Sequence, residues 1–111
     1  MLKNNAVKAG SVRYEVTVTT GDSKVSSEFI RWMEEEHGDD LLACDGCYEY
    51  RVLSAGENVF RAEYLFLSQD HLDRYLEQDA PRLRAKGIEK FSGKDISFER
   101  SVSQLVLCST S

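Results

Sequence analysis

Residues 32–50, WMEEEHGDDLLACDGCYEY, bring together a tryptophan, a histidine, a run of acids and a C-x-x-C pair. His37 is a candidate general base or ligand, because imidazole is the side chain that titrates nearest neutral pH. Cys44 and Cys47 are candidates for a metal site or a redox pair, since thiolates serve both roles. Which of these chemistries is available depends on the elements that position the residues.

The spacing around Cys44 and Cys47 favours a turn. A structural zinc site needs four ligands, and the other candidates, His37 and Cys108, lie far along the chain. A redox C-x-x-C usually begins a helix, whereas this pair precedes an alternating strand pattern, and Asp45 between the cysteines would raise the thiol pKa. We therefore predict no metal, with a metal site or a redox pair at Cys44 and Cys47 as the weaker alternatives.

The segment before the cysteines has the pattern of an amphipathic helix. Apolar residues recur at helical spacing from Val25 to Met33, and the helix is expected to end at His37-Gly38. This places Trp32 in the core and His37 at the helix C-terminus, where an imidazolium interacts favourably with the helix dipole. Five positions separate the two side chains, about 140° around an α-helix, which disfavours a Trp–His pair.

Four segments alternate between apolar and polar residues and are predicted strands, near residues 12–19, 47–53, 59–67 and 96–102. Asp22 or Ser23 begins the first helix, and Ser68 or Asp70 begins the second. Pro81 interrupts the second helix and starts a further turn, and Gly87 and Gly93 end it. Residues 105–108 are a candidate fifth strand.

This order of elements predicts an α+β fold, a ferredoxin-like β-α-β-β-α-β sandwich. Right-handed crossovers place both helices on one face of an antiparallel sheet and leave the other face bare. We expect residues 1–11 to be a disordered tail and residues 12–108 to form a single domain.

The helix-free side of the sheet, here called the outer face, carries the predicted ligand-binding residues. These are Arg13, Glu15, Arg51, Arg61, Glu63 and Glu99. Pairing Leu53 with Val59 would set Arg51 opposite Arg61, which is unfavourable, whereas a two-residue shift would pair arginine directly with glutamate. Leu65 and Leu67 add an apolar patch. The face is interpreted as a ligand cavity or a dimer interface, with a solvated surface as the alternative.

Composition limits the partners of this 111-residue chain. Its net charge of −5 argues against a nucleic-acid partner, which usually requires a concentrated basic face. The first residues lack the apolar core of a secretory signal, and no segment approaches the roughly 20 apolar residues of a membrane span. We therefore expect a cytoplasmic protein with no membrane partner.

Segments of the sequence resemble a known family. RYEVTVTT, FIRWMEEEHGDDLLACDGCY, RAEYLF and LDRYLEQDAPRLRAKGIEKFSG are similar to a small bacterial family of ferredoxin-like proteins, a domain of unknown function, over residues 12–100. That family is placed in the dimeric α+β barrel superfamily, which includes cofactor-free monooxygenases, haem-degrading enzymes and small isomerases. The resemblance implies a homodimer whose two sheets close face to face.

Three functions remain open from the sequence. The first is a homodimeric protein that binds a small organic or anionic ligand on the outer face. The second is a small cofactor-independent enzyme, monooxygenase-like or isomerase-like, that uses His37 or the Arg and Glu strand residues. The third is a structural or regulatory dimer without a ligand. Neither a glycine-rich phosphate loop nor a Ser-His-Asp arrangement is visible, and we expect no bound cofactor.

Overall fold

The sheet is built around β1, an inner strand that is paired on both sides. The computed structural model describes residues 10–109. It contains four strands, β1 (Val12–Thr20), β2 (Cys47–Gly56), β3 (Val59–Phe66) and β4 (Ile96–Gln104), in the antiparallel order β2-β3-β1-β4. One helical crossover joins β1 to β2 and another joins β3 to β4. The predicted ferredoxin-like fold is confirmed.

The alternation of buried and more exposed residues in β1 shows which side chains lie on each face of the sheet. Val12, Tyr14, Val16 and Val18 are buried in the core, whereas the side chains between them are more exposed and lie on the outer face. Successive side chains of a strand point to opposite faces, so the pattern in the sequence sets which face carries the core. The core-bearing side is here called the inner face.

Both crossovers begin at predicted capping residues. The first consists of α1 (Ser23–Trp32), a first π-helical segment (Met33–His37) and α2 (Gly38–Leu42). The second consists of α3 (Gln69–Arg74), a second π-helical segment (Tyr75–Asp79) and α4 (Ala80–Lys90). The Asp22 carboxylate accepts a hydrogen bond from the Val25 N–H at 2.9 Å, and the Ser68 hydroxyl accepts one from the His71 N–H at 3.2 Å. Each satisfies an N–H group that the helix leaves unpaired.

The predicted helix end at His37-Gly38 is wrong. Gly38 has a φ of −60°, begins α2, and donates its N–H to the carbonyl of Met33, five residues back. A Cβ at this position would lie 2.4 Å from the Tyr50 ring. Gly38 is therefore needed for the close approach of the helix to β2, and not for the left-handed turn that often follows a helix.

Gly87 also lies inside a helix. It is buried in α4, which continues to Lys90, and a Cβ there would lie 3.3 Å from the Trp32 ring. The predicted helix end at Gly87 is thus wrong, and the glycine instead allows α4 to pack closely on Trp32. Gly93, with a φ of +77°, follows the helix as predicted, and Pro81 lies in the first turn of α4.

The hairpin adopts the second of the two predicted registers. Arg51 lies opposite Glu63, and Arg61 lies opposite Leu53. Register irregularities occur near both ends of β2, and an extra residue in one strand changes which side chains face each other. The direct Arg51–Arg61 repulsion considered from the sequence is therefore absent from the pairing of β2 with β3.

Residues 10 and 11 are hydrogen-bonded to residue 105, next to the pairing of β1 with β4. The predicted fifth strand at residues 105–108 does not form within residues 10–109. Leu105 instead donates its N–H to the Ser11 carbonyl and accepts a hydrogen bond from the Gly10 N–H. The rest of the predicted tail, residues 1–9, lies outside the described residues. No helix in the described range is long and apolar enough to cross a membrane.

Replacing Gly38 by Ala tests the close packing of the first crossover on β2. We expect a loss of about 1–3 kcal/mol in the free energy of unfolding, because the added methyl group would collide with Tyr50. Helix propensity alone predicts the opposite sign, a gain of about 1 kcal/mol. Urea denaturation distinguishes the two, and Ser27→Ala on the exposed side of α1 is the control, with an expected change below about 0.5 kcal/mol. A Gly38→Ala variant more stable than wild type would contradict the packing described above.

Candidate functional site

A cavity of about 380 Å³ lies between the inner face of the sheet and the helices. We call it the interlayer cavity. Its wall is largely aromatic and aliphatic, with one imidazole and two guanidinium groups. The residues used below are Tyr14, Trp32, His37, Tyr64, Tyr75, Arg84, Phe98 and Arg100. Apolar walls with a few placed polar groups are typical of pockets for small organic molecules.

Trp32 and His37 form a stacked pair in this wall. Their ring centroids are 4.3 Å apart and their planes differ by 11°. The prediction that the two side chains lie on different faces of the helix is wrong. It assumed α-helical spacing, but Met33–His37 is π-helical, and the wider turn brings positions five apart onto one face.

His37 is a buried side chain and does not cap a helix end. It is 6% exposed, and its Nε2 atom lies 3.3 Å from the Tyr64 hydroxyl. Its Nδ1 atom has no hydrogen-bond partner among the described residues. Buried polar atoms are nearly always paired, so Nδ1 is an exception, although the surrounding protein atoms cover it and a ligand would reach it only if they moved.

Burial keeps His37 neutral. Desolvation lowers the pKa of His37 from 6.5 to about 4; nearby Asp40 opposes this shift and Lys86 adds to it. At neutral pH the imidazole therefore carries one N–H donor and one lone-pair acceptor. If Nε2 donates to the Tyr64 hydroxyl, the free lone pair is on Nδ1.

Three tyrosines in contact with one another line the cavity. Tyr14 lies between the other two, with ring centroids 5.9 Å from Tyr64 and 6.2 Å from Tyr75. Burial raises the pKa of both Tyr64 and Tyr75, so their phenols stay protonated. The Tyr14 hydroxyl accepts a hydrogen bond of 2.6 Å from Arg84. The site thus offers neutral hydroxyl groups beside a neutral imidazole.

The outer face holds most of the ligand-binding residues predicted from the sequence. Glu63 is buried between two arginines, at 3.2 Å from Arg13 and 3.8 Å from Arg51. Arg13 also contacts Glu15 at 3.4 Å, and Arg51 contacts Glu49. We call these five residues the outer-face charge network. Because Glu15 lies directly opposite Glu63, the bridging Arg13 relieves a like-charge contact.

Arg61 and Glu99 do not join this network. Both lie opposite Thr17, on either side of β1, and both are exposed with no ion pair within residues 10–109. Leu65 is buried, in contrast to the exposed patch expected from the sequence. It lines a second cavity of about 290 Å³ with Arg13, Arg51 and residues 105–107.

Cys44 and Cys47 are free, buried thiols in a tight turn. The Cys47 N–H donates to the Cys44 carbonyl at 3.2 Å, which confirms the turn interpretation. Burial raises the pKa of Cys44 to about 11 and that of Cys47 to about 12, so both thiols are protonated at neutral pH. No group of three or more His, Cys, Asp or Glu residues in the described part of the chain could hold a metal ion.

The sequence interpretation missed the two arginines of the interlayer cavity. Arg100 lies on the inner face of β4, at the position between Phe98 and Val102 that the alternation reserves for an apolar residue. An arginine at this position of the alternation was the feature of the sequence that could have identified Arg100. Arg84 had no such feature, because an exposed helical arginine is ordinary in sequence.

Comparisons with known proteins agree with this architecture. The family described as a domain of unknown function (DUF4286) matches residues 11–105. A search of curated proteins finds no match. Similar solved structures include SnoaB, a cofactor-independent oxygenase from Streptomyces nogalater, at 14% identity and a TM-score of 0.63, covering 90% of this chain and 97% of that one.

Two further structures are similar. A putative antibiotic biosynthesis monooxygenase from Caulobacter crescentus has 17% identity and a TM-score of 0.63, with 89% and 92% of the two chains covered. A dimeric ferredoxin-like protein from an uncultured marine organism has 12% identity and a TM-score of 0.67, with 89% and 98% covered. At these identities the similarities establish the fold alone.

The burial of neutral His37 predicts a pH-dependent stability. Between pH 6.5 and 4 the unfolded chain binds a proton at this residue that the folded protein does not, so the free energy of unfolding should fall as the pH is lowered through that window. The total contribution is on the order of 3 kcal/mol. Denaturation at several pH values should show a shallower pH dependence in His37→Gln than in wild type. His71→Gln, which removes the other histidine, should keep the wild-type dependence, and an unchanged slope in His37→Gln would refute the assignment.

Proposed function

The chain belongs to the family described as a domain of unknown function (DUF4286), as its resemblance predicted, and from this premise we propose that it is a small enzyme that oxidises a hydroxyaromatic molecule with dioxygen and no bound cofactor. The substrate would occupy the interlayer cavity. The ligand site expected on the outer face is thereby moved to the opposite side of the sheet.

The observation that carries the proposal is the unpartnered Nδ1 of His37 in an aromatic wall. Trp32 stacks on one side of this imidazole and Tyr64 fixes its other nitrogen. The aromatic side chains suit a planar ring, and the free imidazole nitrogen suits its hydroxyl group once the wall opens to uncover Nδ1. A core histidine with a structural role alone would be expected to pair both nitrogens.

The chemistry needs a base and a substrate that supplies the electrons. His37 accepts the proton of the substrate hydroxyl, and the resulting electron-rich anion reduces dioxygen. For a substrate methylene group, CH2 and O2 give a carbonyl and water: the carbon is oxidised, dioxygen is reduced, and both methylene hydrogens leave in the water. His37 then returns the hydroxyl proton to the product. The bound anion would also raise the pKa of His37, because an opposite charge favours the imidazolium.

The similar structures support an oxygenase activity. SnoaB is described as a cofactor-independent oxygenase, and the Caulobacter protein as a putative antibiotic biosynthesis monooxygenase. Fold similarity alone does not transfer an activity. The proposal therefore depends on the cavity and on His37, which are features of this chain.

Oxygen consumption tests the proposal. With 1,8-dihydroxyanthrone as the probe, we expect protein-dependent uptake of dioxygen and formation of the matching anthraquinone. His37→Phe, which keeps the stack on Trp32, should lose about a hundredfold or more of the rate, since that is the usual contribution of a general base. His71→Gln is the matched control and should keep the rate. Dioxygen uptake no faster than without protein, or equal rates in His37→Phe and wild type, would overturn the proposal.

We further propose that the protein is a homodimer joined through its outer faces. The outer-face charge network has both signs and can therefore pair with a second copy of itself, and Leu53 on the same face is 40% exposed. One of the similar structures is described as a dimeric ferredoxin-like protein. A partner would cover the apolar surface that the isolated chain leaves open.

Light scattering tests the dimer. The mass at micromolar concentration should be about twice the 12.6 kDa of one chain. Arg51→Glu places a third acid beside Glu49 and Glu63 and should shift the protein to monomers. Arg31→Glu makes the same charge change on the exposed surface of α1 and should leave the dimer intact. A wild-type mass of one chain, or a stable Arg51→Glu dimer, would contradict this interface.

A further inference from the structure

The interlayer cavity has an unbalanced charge. Its lining contains two arginines, Arg84 and Arg100, and neither aspartate nor glutamate. The whole chain, in contrast, has nineteen acidic and fourteen basic residues. The local excess of positive charge is therefore a feature of this cavity and does not follow from the composition.

Neither arginine has an acidic partner. Arg84 donates to the Tyr14 hydroxyl, and the Arg100 guanidinium lies 5.7 Å from the centroid of the Phe98 ring. No ion pair of either residue occurs within the described residues. Elsewhere Arg13, Arg51, Arg74 and Arg82 each contact a carboxylate, whereas Arg31 and Arg61 have no ion pair among the described residues and lie outside this cavity. Arginine is the side chain best suited to bind planar carboxylates, so two unpaired copies in one cavity wall indicate an anion.

The two arginines belong to the exposed part of the cavity wall. Both are exposed residues, whereas His37 and Tyr64 in the same wall are buried. Arg84 projects from α4, and Arg100 projects from β4 at the position opposite Val16. The cavity wall therefore combines exposed, cationic residues with a buried, neutral histidine and tyrosine.

We infer that the ligand of this cavity is an aromatic carboxylate, held by its carboxylate at Arg84 and Arg100 with its ring among the tyrosines and its hydroxyl towards His37. The position of the ligand hydroxyl rests on the proposed function, whereas the ligand carboxylate and its contact with the two arginines are additional to it. A carboxylate fits better than a phosphate, because it is planar and can lie in the plane of the aromatic ring between the sheet and the helices.

The test compares 6-hydroxy-2-naphthoic acid, whose carboxylate and hydroxyl lie at opposite ends of the ring system, with its carboxamide, a probe of the same shape and no charge. Binding is followed by the indole N–H resonance of Trp32, the single tryptophan, which lines the cavity. The acid should bind about tenfold or more tightly than the amide, as expected for a charge-assisted hydrogen bond. In Arg84→Gln and Arg100→Gln this ratio should fall towards one, while the affinity for the amide stays near that of wild type and so shows that the cavity is intact.

Arg82→Gln is the matched control. Arg82 lies one half-turn from Arg84 on α4 but pairs with Asp79 at 3.2 Å and does not line the cavity, so the variant should keep the wild-type ratio. Equal binding of acid and amide to wild type would overturn the inference and leave the proposed oxygenase untouched. Tighter binding of 2-naphthyl phosphate than of the acid would overturn the carboxylate assignment. If neither naphthalene probe perturbs Trp32, the inference fails, and the dioxygen assay then decides the proposed function separately.

Discussion

Placing an imidazole inside an apolar layer is the constraint on which the inner half of this structure depends. His37 loses its hydration there, and its ordinary charged form is disfavoured as a result. The fold compensates with a stacked indole and one tyrosine hydroxyl, and it leaves the second nitrogen without a protein partner. Stability and site chemistry are therefore in conflict at a single residue, as is common where a side chain is kept for function.

The sheet separates two polar systems that are arranged in opposite ways. On the outer face each arginine of the charge network contacts glutamates, so charge is neutralised within the protein. In the interlayer cavity the arginines have only a hydroxyl and a ring as neighbours. Ion pairs that are complete within one chain are suited to a permanent contact between subunits. Arginines without an acidic partner are suited to a ligand that binds reversibly.

The parts of the fold that follow from local rules could be predicted from the sequence. Alternation located the four strands, and Asp22 and Ser68 located both helix starts. The candidate site could not be predicted, because its geometry depends on a departure from the 3.6-residue period. Gly38 was interpreted as a helix end since glycine usually has that role, and only the position of Tyr50 shows why it is there.

Register was the other quantity that the sequence left undetermined. Two sets of cross-strand neighbours were open for Arg51, and the structure shows the one that places it opposite Glu63. Periodic rules assume one residue per step, and this chain departs from them in the π-helical segments and at the irregularities near both ends of β2.

The first π-helical segment has an evolutionary consequence. A π-bulge corresponds to one residue more than an α-helix of the same length requires. Deleting one codon between Trp32 and His37 would restore α-helical winding and leave the flanking segments in nearly the same phase, because the wider turn accommodates the extra residue. Trp32 and the histidine would then be four positions apart, about 40° around an α-helix, and would stay on one face. Among relatives, the stacked pair can thus be kept while its sequence spacing changes from five to four, and an alignment that forbids gaps inside helices would pair the wrong residues at this site.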